Sequence, residues 1–163
     1  MTTLNTLQRL AALRRHSEQK ALEALAIEVA HVGRAEREAK EAVAALQTQV
    51  REAQVKERAL VGALAGKGPI APGAVARVQG ELDRAALEIV RLRAAMVRAQ
   101  AHLEERQKAR VVAMENFRQR QRATAKVDAI YDQEMVRKRR ADAAREESES
   151  EDRNAAAKSG RVP

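Results

Sequence analysis

The sequence has no cysteine and no tryptophan, one phenylalanine (Phe117), one tyrosine (Tyr131) and only three prolines among 163 residues. Without cysteine there is neither a disulfide framework nor a thiolate metal site, which fits a reducing cytosol. So few bulky aromatics argue against a broad three-dimensional core. Much of the 45% hydrophobic content is alanine, a strong helix former that buries little area. No window approaches the roughly 20 apolar residues needed to span a bilayer, and residues 1 to 20 lack the apolar centre of a secretory signal. The expectation is a soluble chain. The acid-poor start, Met1 to His16, has the character of a mitochondrial presequence; that reading ranks lower, because the helical pattern runs on past it without a break in composition.

What is present is helical period. Glycine and proline, both poor in helix interiors, concentrate in Gly66-Lys67-Gly68-Pro69-Ile70-Ala71-Pro72-Gly73, which holds three of the seven glycines and two of the three prolines. On either side lie long apolar repeats. From Leu22 a heptad predicts a positions at Leu22, Val29, Glu36, Val43, Val50, Glu57 and Leu64, and d positions at Leu25, Val32, Ala39, Leu46, Ala53 and Leu60. Upstream, Leu4, Leu7, Leu10 and Leu13 recur every three residues, a step expected to overwind a supercoil locally. After the turn, the predicted seam is Val75, Val78, Leu82, Ala85, Ile89, Leu92, Met96, Ala99 and Leu103. Beyond it the same register meets Arg106, Arg110, Ala113, Phe117, Arg120, Thr124, Val127, Tyr131 and Glu134, so the seam becomes intermittent.

These patterns predict an all-α fold, two long helices forming an antiparallel coiled-coil hairpin. Its expected parts are a helix over 3–65, a turn over 66–73 and a second helix over 74–147, followed by a disordered tail over 148–163 that has no apolar period. Facing positions should sum to about 138 if the turn is centred at residues 66 to 73. The same seam can close within one chain or between two, so the oligomeric state stays open.

Charge is unevenly spread. The net charge is +8, with +3 on residues 1–20 and +7 on residues 106–140, but −1 on 21–65, +1 on 66–105 and −2 on 141–163. A hairpin joins the two basic blocks at one pole, through Arg9, Arg14, Arg15, Arg118, Arg120, Arg122, Arg137, Lys138, Arg139 and Arg140 among others. Such a pole would steer an acidic partner. A solvated face with scattered counter-charges explains residues 34–58 well and residues 106–140 poorly.

Catalytic signatures are weak. His16, His31 and His102 are spread along the chain, and the pairing rule sets His31 near Gln107 and His16 near Arg122, so no two histidines are expected to meet. Glu104-Glu105 and Glu146-Glu147 are sequence neighbours that splay on a helix. Gly66-Lys67-Gly68 lacks the spacing and the Ser or Thr of a phosphate-binding loop. No enzyme activity, cofactor or metal is expected. Non-specific nucleic-acid binding is the rival reading: a basic block suffices for it, but the block does not precede a parallel zipper and no aromatic stacking platform accompanies it. A membrane-surface role ranks lower still, and a structural coiled-coil spacer is a third reading.

The two helices joined by GKGPIAPG, the tight second seam VARVQGELDRAALEIVRLRAAM, the basic stretch ARVVAMENFRQRQRATAKVDAIYDQEMVRKRRAD and the acidic tail EESESED together resemble the stalk proteins of type III secretion systems, the YscO-like proteins of injectisomes and the related flagellar FliJ proteins. The paucity of aromatics favours the injectisome branch. The resemblance implies a cytoplasmic, non-enzymatic component at a bacterial secretion apparatus, similar in shape to the central stalk of rotary ATPases. It further implies that the end bearing both termini enters the pore of a hexameric secretion ATPase, while other parts approach the export gate and bind substrate chaperones. Under it the basic residues named above face the ATPase.

Overall fold

The computed structural model describes residues 2–66, 68 and 71–159. Two helices account for nearly all of them: α1, Thr2–Ala65, and α2, Pro72–Ser159. Among the described residues there is no strand. The helices pack antiparallel as an all-α coiled-coil hairpin. Two compact units are distinguished along it, one formed by Met1–Ala24 with Met114–Pro163 and one by Leu25–Ala113.

The turn lies where glycine and proline cluster, although Lys67, Pro69 and Ile70 lie outside the described residues. A Cβ at Gly66 would stand 3.3 Å from the carbonyl oxygen of Ala63, so the position where α1 ends favours a residue without one. Pro72 is itself the first residue of α2, where its missing amide hydrogen has no intrahelical acceptor to lose. The Ala74 amide donates to the Ala71 carbonyl at 2.9 Å and closes the first turn.

In the Leu25–Ala113 unit, contacts such as Lys56 to Glu81 and His102 to Glu38 join positions that sum to 137 and 140. The pairing expected from the turn position holds. The α2 seam is as predicted: Ala85 is buried, and Val75, Val78, Leu82, Ile89, Leu92, Met96, Ala99 and Leu103 are half-buried. On α1 the d positions Leu25, Val32 and Ala39 are buried at 8%, 4% and 7% exposure. Of the predicted a positions Val43 and Val50 are half-buried, but Leu22, Val29, Glu36, Glu57 and Leu64 are exposed, Val29 and Leu64 at 50% each. Glu28 and Ala35, each one residue earlier, turn inward in place of Val29 and Glu36, with Ala35 at 1%, while Ala42 and Gln49 share the interface with Val43 and Val50. The reason is volume. Leu82, Ile89, Leu92, Met96 and Leu103 fill the space from the α2 side, and a close-packed interface of fixed width accepts small residues opposite large ones.

The unit of Met1–Ala24 with Met114–Pro163 corrects a second expectation. Leu10 is 37% exposed and Leu13 67%, whereas Ala11 is buried at 4% and Arg14 is half-buried. The inward row is Leu4, Leu7, Ala11, Arg14, Glu18 and Ala21, an ordinary alternation of three and four. A strict three-residue step falls about 60° short of a full turn each time, so four leucines at that spacing wind off the seam rather than overwind it. Facing this row, Phe117, Val127, Tyr131 and Glu134 are half-buried and Thr124 is buried at 5%, its hydroxyl donating to the Arg120 carbonyl at 3.1 Å.

The expected tail is also revised. Helix α2 continues past residue 147 to Ser159. Glutamates and alanines are adequate helix formers, the Ser150 hydroxyl donates to the Glu147 carbonyl at 2.8 Å, and Arg153 lies 3.5 Å from Glu149 one turn back. Residues 136–154 are all exposed, so this stretch is helix without a packed face. Residues 160–163 of the expected tail lie outside the described residues.

Candidate partner-binding surface

The basic block 1–20 and the part of block 106–140 from residue 114 onward meet in the unit of Met1–Ala24 with Met114–Pro163 because α1 and α2 run antiparallel there. Side-chain hydrogen bonds cross between the helices there. Arg15 Nη2 donates to Asp128 Oδ1 at 2.8 Å, with the arginine side chain 65% exposed. Arg120 Nη1 donates to Ser17 Oγ at 3.1 Å, while its Nε donates to Asn116 Oδ1 at 3.4 Å. Arg137 pairs within α2, Nη1 to Glu134 Oε1 at 3.1 Å.

The other predicted residues hold no such partner. Arg9, Arg118, Arg122, Lys138, Arg139 and Arg140 are exposed and make no ion pair or hydrogen bond among the described residues. Arg14 stands apart from them, since it occupies the inward row of α1 and is half-buried. Arg9, Arg15, Arg118, Arg120 and Arg122 thus lie in one unit and are contributed by both helices, Arg15 and Arg120 beside the interface and Arg9, Arg118 and Arg122 on the outward faces of α1 and α2, whereas Arg137 to Arg140 follow on α2 alone. Unpaired guanidinium groups carry strong bidentate donors for carboxylate or phosphate. Chemically such groups are suited to anions.

One group of polar residues departs from the sequence expectation. In the Leu25–Ala113 unit His31 and His102 do not contact each other but converge on one side chain. Arg106 Nε lies 3.4 Å from His102 Nε2, and Arg106 Nη1 lies 3.4 Å from His31 Nδ1. Glu28 approaches the same Arg106 Nη1 at 3.7 Å and His31 at 3.9 Å, and Glu38 lies 3.7 Å from His102. The pairing sum placed His31 within one residue of Arg106, but it could not show that the guanidinium reaches both rings. Among the described residues no cluster of three or more His, Cys, Asp or Glu is arranged to hold a metal ion. No helix among them is long and apolar enough to cross a membrane.

The chain matches no protein-family model, no curated protein and no solved structure.

Proposed function

We propose that this protein is a non-enzymatic stalk component of a type III secretion apparatus, coupling a hexameric secretion ATPase to the export gate, with substrate chaperones as further partners. The reading rests on the resemblance of both helices, the turn and the tail to YscO/FliJ-like stalk proteins. The observation that carries it is the exposure of five arginines, Arg9, Arg15, Arg118, Arg120 and Arg122, supplied by both helices within one unit. Three of these five are unpaired among the described residues, and all five are exposed, so they can meet the acidic lining of a ring. Paired helices are slender enough to occupy such an axis. Its place would be the bacterial cytoplasm, at the base of the apparatus.

The test is enzymatic, although the protein itself is not. Added to its cognate secretion ATPase, the chain should raise turnover or promote assembly of the hexamer, and Arg118→Glu/Arg120→Glu/Arg122→Glu should abolish that response. An ATPase indifferent to the wild-type chain refutes the proposal. Non-specific nucleic-acid binding also suits unpaired guanidiniums; retention of labelled duplex at physiological salt, with no effect on the ATPase, would establish that reading instead.

A further inference from the structure

The face of α2 turned away from α1 carries a second heptad. Leu87, Val90, Ala94, Val97 and Ala101 follow at steps of three, four, three and four, and all five are exposed. Leu87 is 73% exposed, Val90 65% and Val97 55%. At about 100° per residue, Leu87 lies nearly opposite its inward neighbour Ala85. Single exposed apolar residues are common on any surface. Five in heptad register over four turns make a seam, and a seam is the imprint of another helix. Asp83 and Glu104 occupy the next positions of the register at its two ends, so the apolar part runs about 22 Å along the helix.

The residues flanking the stripe identify the occupant. Arg84, Arg91 and Arg98 recur every seven residues along one side of it, and Arg93 stands on the other. All four are exposed; Arg91 reaches Glu88 at 3.5 Å, and the other three make no ion pair among the described residues. A second copy of the chain is a poor fit. Antiparallel pairing of two such faces opposes the Arg84, Arg91 and Arg98 rows, and parallel pairing opposes Arg93 to those rows, so either arrangement sets like charges together.

We propose that this outer face of α2 docks one amphipathic helix of a partner protein, apolar at its heptad core and acidic at its flanking positions. The site is separate from the arginines of the Met1–Ala24 and Met114–Pro163 unit, and it stands whether or not the stalk function does.

The test uses the full chain and a labelled synthetic peptide of three heptads, with Leu at a and d and Glu at e and g, set against its Lys-flanked counterpart. Fluorescence anisotropy should show saturable binding of the Glu-flanked peptide only. Val90→Glu/Val97→Glu should weaken it by about tenfold or more, and Arg84→Glu/Arg91→Glu/Arg98→Glu should transfer preference to the Lys-flanked peptide. Arg118→Glu/Arg120→Glu/Arg122→Glu should leave binding unchanged. The substituted positions are exposed, so circular dichroism should report intact helix; if the valine variant unfolds, the arginine exchange decides alone. No saturable binding, equal affinity for both peptides, or sensitivity confined to the Arg118 triple variant overturns the proposal. So does a self-associated chain in sedimentation that Val90→Glu/Val97→Glu returns to monomer.

Discussion

Arg106 Nη1 stands 3.7 Å from Glu28 Oε2, an oxygen that is buried and accepts no hydrogen bond. The side chains are 32% and 23% exposed, so the pair is half-buried beside the seam. Removing the cation leaves a partly desolvated carboxylate uncompensated, which costs more than the intact pair contributes. Arg106→Met should therefore lower stability by about 1–3 kcal/mol in urea unfolding, and Glu28→Leu added to it should recover most of the loss. Additive losses in the double variant would show that the two side chains act independently.

The seam register predicts an inversion of the usual size rule. Ala35→Leu inserts a large side chain at a position 1% exposed and should cost about 1–3 kcal/mol by overpacking. Leu22→Ala, at a position 43% exposed, should cost under about 1 kcal/mol although it changes apolar volume by the same amount. Leu25→Ala, three residues further on and 8% exposed, should cost about 2–3 kcal/mol. Thermal unfolding of the three variants orders them directly.

Charge reversal in the basic unit should leave the fold intact. Arg118, Arg120 and Arg122 are exposed, and Arg120 gives up only surface hydrogen bonds to Ser17 and Asn116. Exposed pairs of this kind contribute about 0–1 kcal/mol. Helix content and melting temperature of the triple glutamate variant should match the parent within a few degrees, so any lost partner response reports on recognition.

Because the sequence contains no cysteine, two introduced thiols can be labelled without background. Spin labels at Gln8 and Ala129, exposed positions in the same unit whose numbers sum to 137, should give a short distance. Dilution of the doubly labelled chain into an excess of unlabelled chain should leave that distance unchanged. Its disappearance on dilution would mean that the helices pair between molecules.

The hairpin was legible because glycine and proline are confined to one turn while apolar residues keep a period of three and four on both sides. The α2 seam was legible for the same reason, since Leu82, Ile89, Leu92 and Met96 have no equally apolar neighbouring row on their own face. On α1 two adjacent rows compete, Leu22 and Val29 against Ala21 and Ala35. Hydrophobicity favours the first, and only the bulk supplied by α2 decides for the second. Arg120 and Ser17 meet at positions that sum to 137, as the pairing rule sets them, whereas Arg15 and Asp128 sum to 143 and meet through the reach of the guanidinium. The junction of His31 and His102 at Arg106 did not follow from the pairing sum, because side-chain reach is invisible to a rule about backbone positions. The outer stripe of α2 was present in the spacing of Leu87 to Ala101, masked by the stronger inward row on the opposite side of the helix.

No large side chain anywhere among the described residues is completely enclosed, and the best hidden residue is an alanine. Cohesion is thus distributed as many small, nearly equal increments along the length, with no central keystone whose loss brings down the whole. Such a molecule opens like a zip fastener, from an end and by short segments, and amide exchange should be graded along each helix instead of switching on everywhere at once.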